Sequence, residues 1–189
     1  MFAVSLALIG AASAVDSWAF HHFRLPDVYD RDWGRALRSV GYWPLWIALS
    51  VALWLTDRAR GRGVQRAAIL AGAVTLAGVL DEVLKLLVRR DRPGVHDGAY
   101  SFRPWSDRPF DSSGFGMPSS HAIIAFAAAA ALTELFPAAA IVWYGLAVGC
   151  AVTRVLSGAH FVSDAIVGAL LGIVIATWFA QRVVHATAA

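Results

Sequence analysis

The twelve residues TRVLSGAHFVSD, Thr153–Asp164, interrupt two apolar runs, IVWYGLAVGCAV over 141–152 and AIVGALLGIVIATWFA over 165–180. Such runs read as membrane helices, and Ser157-Gly158 reads as the turn between them. A hairpin of two apolar helices makes the fold class all-α, a polytopic transmembrane helical bundle. An arginine, a histidine and an aspartate are costly there. A charged side chain at membrane depth costs roughly 2.5–3.5 kcal/mol on insertion scales, so it ordinarily has a partner and a task. His160 and Asp164 stand four apart. On a helix they share one face, where the carboxylate can hold one imidazole nitrogen and leave the other free. With Arg154 ahead of the turn, they outline a site for an anion.

The rest of the composition agrees. Of 189 residues, 58% are hydrophobic and 15% charged, against about 25% charged in soluble domains. The length suits one membrane-integrated domain, 1–189, with its motif-bearing core over 67–181. Net charge is +3, carried almost wholly by arginine, Lys85 being the one lysine. A basic chain raises nucleic-acid binding as a reading. The arginines are scattered among apolar spans and build no long basic face, so no nucleic-acid partner is expected. Cys150 stands alone in an apolar run, which excludes an intrachain disulfide and argues against a thiolate metal site.

About six spans are expected: Met1–Val15, Val40–Leu55, Ala67–Val88, His121–Leu135, Ala138–Thr153 and Phe161–Ala180. The first is short for a bilayer that needs about 20 residues. A cleaved signal peptide ending near Ala12-Ser13-Ala14 is the other reading, weakened because no positive charge precedes the apolar run. Residues 16–40 are mixed and charged, and read either as a helix lying along the bilayer or as a solvated connector. The loop TDRARGRGVQR carries Arg58, Arg60, Arg62 and Arg66, the strongest cytoplasmic marker in the chain. The segment 89–117 is too long for a simple connector.

Alternating spans bring the polar residues to one membrane face. Lys85, Arg89 and Arg92 close the third span, Ser119, Ser120 and His121 open the fourth, Arg154 closes the fifth, and His160 and Asp164 open the sixth. Lys85 and Arg92, seven apart, point the same way if the helix continues to Pro93. Ser119 and Ser120 fall at a helix N-terminus, where free N–H groups favour an anion. Arginine's planar fork suits phosphate oxygens. One histidine held by a carboxylate can attack phosphorus while the other protonates the leaving oxygen. Three cations remove the need for a metal.

Each residue alone has a plainer reading. His121 can be a satisfied helix-end residue and His160–Asp164 a structural pair. Lys85 and Arg89 can snorkel to the headgroups, and Arg103 and Arg108 can be solvated loop charges. A zinc site is poorly supported, since no HxxxH or HExxH pair occurs. Their convergence on one face is what favours a shared site.

The same residues resemble the type 2 phosphatidic acid phosphatase (PAP2) superfamily. KLLVRRDRP, Lys85–Pro93, is similar to its first motif; PSSH, Pro118–His121, to its second; TRVLSGAHFVSD to its third. Order and internal spacing agree over 85–164. Ser120 stands where the family has glycine, and Thr153 where it has serine before the arginine. The resemblance implies a PAP2/haloperoxidase-like helical core and metal-independent hydrolysis of a lipid phosphate, without a cofactor. It implies His160 as nucleophile through a phosphohistidine, Asp164 as its orienting partner and His121 as general acid. It also implies that Lys85, Arg92, Ser119, Arg154 and the backbone near Ser120 hold the phosphate. The partners implied are the bilayer and a lipid such as phosphatidic acid, phosphatidylglycerol phosphate or undecaprenyl diphosphate. The site is expected to face the periplasm or cell exterior. A phosphotransferase with the same site, and a non-enzymatic lipid or anion transporter, are the competing readings. The oligomeric state has no signature in the sequence.

Overall fold

The computed structural model describes residues 2–188. Seven helices account for most of them: α1 (Phe2–Phe23), α2 (Asp32–Ser39), α3 (Trp43–Ala59), α4 (Gln65–Val88), α5 (Ser120–Leu135), α6 (Ala140–Leu156) and α7 (Val162–Ala188). No strand occurs among the described residues, so the molecule is an all-α bundle.

Six of the helices lie where the six spans are expected, but their limits differ. By length and apolarity four of them, α1, α4, α6 and α7, can cross a membrane. A fifth span results if α2 and α3, which meet at 62°, count as one bent unit. The first helix runs to Phe23, well past Val15, because the charge at Asp16 is buried inside the bundle rather than left to break the helix in lipid. Only Asp32–Ser39 of the charged segment is a separate helix, entered through a 3₁₀ turn at Pro26–Tyr29.

The shortest of the six, α5, has 16 residues, or about 24 Å at 1.5 Å per residue, less than a hydrocarbon core of about 30 Å. It has no need to match the bilayer. Every residue from Ala122 to Leu132 is buried, because α4, α6 and α7 all pack around it. The alanine run Ala127–Ala131 gives it a thin cylinder, and α7 meets it with glycines. A Cβ at Gly172 would lie 2.4 Å from the Ile123 carbonyl oxygen, and one at Gly168 2.9 Å from that of Ser119. Small residues one turn apart are how membrane helices bring backbones together when no water drives association.

The alternation of helices separates two ends. At one, the Arg66 guanidinium pairs with Asp57 and lies 5.6 Å from the Phe136 ring centroid, joining the α3–α4 loop to the α5–α6 turn. At the other end lie the close of α4, the opening of α5, the α6–α7 turn and the segment 89–117.

Candidate active site

Lys85 lies in the last turn of α4 and is 5% exposed. Its ammonium sits 2.7 Å from Asp81 one turn earlier and 3.3 Å from Glu82, and donates to the Ser120 hydroxyl across the helix interface. It does not snorkel. The helix stops at Val88, where Arg89 takes the left-handed conformation (φ 55) and its N–H bonds back to the Lys85 carbonyl. Lys85 and Arg92 therefore do not share a helical face. A reversed chain brings Arg92 back to the site.

Arg89 is the reason the following loop is ordered. Buried between Phe115 and Trp105, its guanidinium donates to the carbonyls of Arg103, Pro104, Asp107 and Pro109 at 2.5–3.2 Å. Residues 90–92 are then stitched on both sides: Asp91 N–H to Ser101 O (2.9 Å), Arg92 N–H to Gly114 O (3.2 Å), Gly116 N–H to Arg90 O (2.7 Å). Arg103 belongs to this structure, bonding Asp91 at 3.2 Å over the Phe115 ring. Arg108 is exposed, as a solvated loop charge would be.

The histidine of the α6–α7 turn lies just outside α7, so His160 and Asp164 do not share a helix face. The His160 Nδ1 bonds the Gly116 carbonyl at 2.8 Å, while the Asp164 carboxylate stands 3.7 Å away. A carbonyl oxygen only accepts, so Nδ1 carries the hydrogen and Nε2 keeps its lone pair in the neutral ring. Burial holds the His160 pKa below its ordinary value of 6.5, opposed by Asp164 and reinforced by Arg154 and Arg92. Asp164 has other work. Its carboxylate caps α7 through the Phe161 N–H (2.8 Å) and pairs with Arg90, and its carbonyl accepts the Ser119 N–H at 3.1 Å.

Arg92, Arg154 and His121 lie near His160, while Ser119 is tied to Asp164 and Ser120 to Lys85. Arg154 is 5% exposed, donates to the Tyr29 hydroxyl at 2.6 Å, and has no carboxylate partner among the described residues. Arg92 likewise has none, its Nε reaching only the Phe115 carbonyl at 3.4 Å. Ser119 stands at the N-cap position of α5 without a side-chain cap bond, and its own N–H is taken by Asp164, so the open donors are those of the first turn, Ser120–Ala122. Two buried polar atoms here lack a partner: Ser119 Oγ and Arg154 Nε.

Several contributors escape a reading of the sequence. Arg90 bonds Ser163 (2.9 Å) and Asp164, with the rings of Tyr100 and Phe161 on its guanidinium. Its only signal is the Arg89-Arg90 doublet. Asp16 of α1 accepts the Ser163 N–H (2.9 Å), the Ser163 hydroxyl and the Tyr100 hydroxyl (2.6 Å). A lone acid inside an apolar N-terminal run hints at that role. Tyr29 and the Gly116 carbonyl have no sequence signal.

Residues 66–187 match the sequence model of the PAP2 superfamily. Among curated proteins, the lipid A 1-phosphatase of Rhizobium johnstonii is 36% identical over 114 residues, 59% of this chain and 44% of that protein. The lipid A 1-phosphatase of Rhizobium etli is 36% identical over 107 residues, 56% of this chain and 45% of that protein. The chain thus spans under half the length of these relatives. No solved structure matches it. With its apolar helices and these relatives, the chain is a multi-pass membrane protein. The matched segment contains all three motifs, whose residues the fold gathers at one end of the bundle, and the chain belongs to the PAP2 superfamily.

Proposed function

We propose that this protein is an integral-membrane lipid phosphate phosphatase working through a phosphohistidine. The observation that carries this reading is the set of unsatisfied groups gathered with His160 at one end of the bundle. Ser119 Oγ and Arg154 Nε are buried without partners, and Arg92 and Arg154 lack carboxylates. Buried polar atoms are ordinarily hydrogen-bonded and buried cations paired, and a bound phosphate would supply the missing acceptor and counter-charge.

In the proposed reaction His160 Nε2 attacks phosphorus and the P–O bond to the lipid breaks. His121 gives its proton to the departing oxygen. Water then attacks the phosphohistidine, surrendering its proton to His121, and inorganic phosphate leaves. Lys85, Arg92, Arg154, Ser119 and the first-turn amides of α5 hold the phosphoryl oxygens as charge develops. Asp164 acts mainly by fixing the turn that carries His160. The Arg58–Arg66 loop lies at the opposite end, and under the positive-inside rule this supports a site on the periplasmic or outer face.

The relatives' name adds a lipid A 1-phosphate to the candidate substrates. Phosphate release in detergent, with EDTA, from phosphatidic acid, phosphatidylglycerol phosphate, undecaprenyl diphosphate and lipid A tests the reading. His160→Ala is expected to lower the rate by roughly 10³-fold or more, as loss of a covalent nucleophile does. Normal turnover by that variant would remove the mechanism. Label appearing on a second lipid instead of in free phosphate would make the protein a phosphotransferase.

A further inference from the structure

The buried cations at the site end of the bundle are held in different ways. Lys85 and Arg90 each have a carboxylate, Asp81 at 2.7 Å for the first and Asp164 for the second. Arg154 is as deeply buried but is met by a phenol, its Nη1 donating to the Tyr29 hydroxyl at 2.6 Å. We propose that Tyr29 is a positioning residue for phosphoryl transfer: it fixes the Arg154 guanidinium and leaves its charge free for the phosphate. The inference rests on the phosphatase reading above, since it concerns how one phosphate-binding group of that site is held.

The direction of the hydrogen bonds carries it. The Tyr29 hydroxyl has one hydrogen and two acceptors at 3.2 Å, the Thr153 carbonyl and Ser157 Oγ. Ser157 gives its own hydrogen to the Arg154 carbonyl at 3.0 Å, so its oxygen is free to accept. With its hydrogen directed to either, the phenol oxygen presents a lone pair to Arg154. Thr153 and Ser157 belong to the close of α6, so the tyrosine ties the arginine side chain to the turn that bears it. A carboxylate in the same place would neutralise the guanidinium and compete with an incoming phosphate. A neutral phenol gives the orientation without the competing charge. Arg154 Nε, buried and without a partner, is the donor left over.

The tyrosine is itself fixed. Leu25 N–H bonds the Leu156 carbonyl at 2.6 Å, which lays the Pro26–Tyr29 turn on the end of α6. From α2, the Arg35 guanidinium donates to the carbonyls of Tyr29 at 3.1 Å and Asp30 at 2.9 Å. Val28 is wholly buried, and α2 comes so close that a Cβ on Gly34 would run into the Val28 carbonyl oxygen. These contacts place the hydroxyl in advance, so little ordering remains when phosphate binds. Tyr29 also stands outside the 66–187 family match, so the segment ahead of the motifs supplies this part of the site.

The test is a double-mutant cycle on the purified full chain: wild type, Tyr29→Phe, Arg154→Ala and the double variant. Phenylalanine removes only the hydroxyl and keeps a ring under Arg38, which lies 4.7 Å from its centroid. On the lipid that wild type hydrolyses fastest, Tyr29→Phe should lower kcat/KM by about 10- to 100-fold, as loss of a hydrogen bond to a charged group does. In the Arg154→Ala background the same change should cost no more than about twofold, because its partner is gone. Calorimetry with inorganic orthophosphate should show the same pattern, with weaker binding in Tyr29→Phe and no further loss in the double variant. Equal losses in both backgrounds, no loss in either, or a Tyr29→Phe protein that does not fold would make the hydroxyl structural and overturn the proposal. If wild type hydrolyses no lipid, the phosphatase reading fails separately and the orthophosphate cycle alone decides the role of Tyr29. A wild type that binds no orthophosphate overturns it.

Discussion

At His160 a backbone oxygen, Gly116 O at 2.8 Å, determines which ring nitrogen carries the hydrogen, and the carboxylate four residues on supports the turn around it. The neutral ring is the form that can attack phosphorus, and burial favours that form by lowering the pKa. The sign follows directly. A histidine of ordinary pKa 6.5 would lose half its nucleophilic form at pH 6.5, whereas a lowered one keeps it to more acidic pH. The acid limb of kcat/KM assigned to His160 should therefore lie below pH 6.5. A pH profile on a soluble short-chain lipid phosphate measures it, and a limb above pH 7 that is absent in other variants would contradict the assignment. The types and spacings of Lys85, His121, Arg154 and His160 were legible in sequence because membrane-depth charge is costly and rare. The Gly116 carbonyl was not, since every residue has one.

Among the elements, α1 is tied to the site through Asp16. Its carboxylate caps Ser163 at the start of α7 and holds the Tyr100 hydroxyl, while Ser163 and Asp164 together hold Arg90. Asp16→Ala leaves the Ser163 N–H and hydroxyl without an acceptor and the Tyr100 hydroxyl with only the Ser13 carbonyl at 3.2 Å, at about 1–3 kcal/mol for a buried group left unsatisfied. Thermal unfolding in detergent should show a lower Tm, with Asp16→Asn intermediate because the amide keeps one acceptor. A Tm equal to wild type in Asp16→Ala would mean that α1 is a lipid-facing span only. The helix limits that sequence misjudged have related causes. The first helix passes Val15 because its acid is buried, and α4 stops before Arg92 because Arg89 adopts φ 55. Both depend on contacts with segments far along the chain, the loop carbonyls of 103–109 in the second case.

For the whole molecule, the separation of ends carries the prediction of sidedness. The Arg58–Arg66 loop and the α5–α6 turn share one end, and the motif residues gather at the other. Cys150 is buried, so new cysteines at exposed positions report on topology. In whole cells a membrane-impermeant thiol reagent should label Asp107→Cys, in the site-side loop, and spare Arg62→Cys until the membrane is broken. The reverse pattern would place the site on the cytoplasmic face.

By itself the sequence determined the all-α membrane class, the number and order of the long helices, and the end of the bundle to which the polar residues belong. Those properties follow from hydrophobic run length and strict alternation across a bilayer, which are local or additive. Tertiary structure alone decided that α5 is sheathed at the centre, that Asp164 binds Arg90 and that Asp16 reaches α7. It also decided that Tyr29 stands between two arginines. These depend on where distant segments close on one another, and the close approach at Gly168 and Gly172 is what brings α7 with its histidine turn onto the opening of α5.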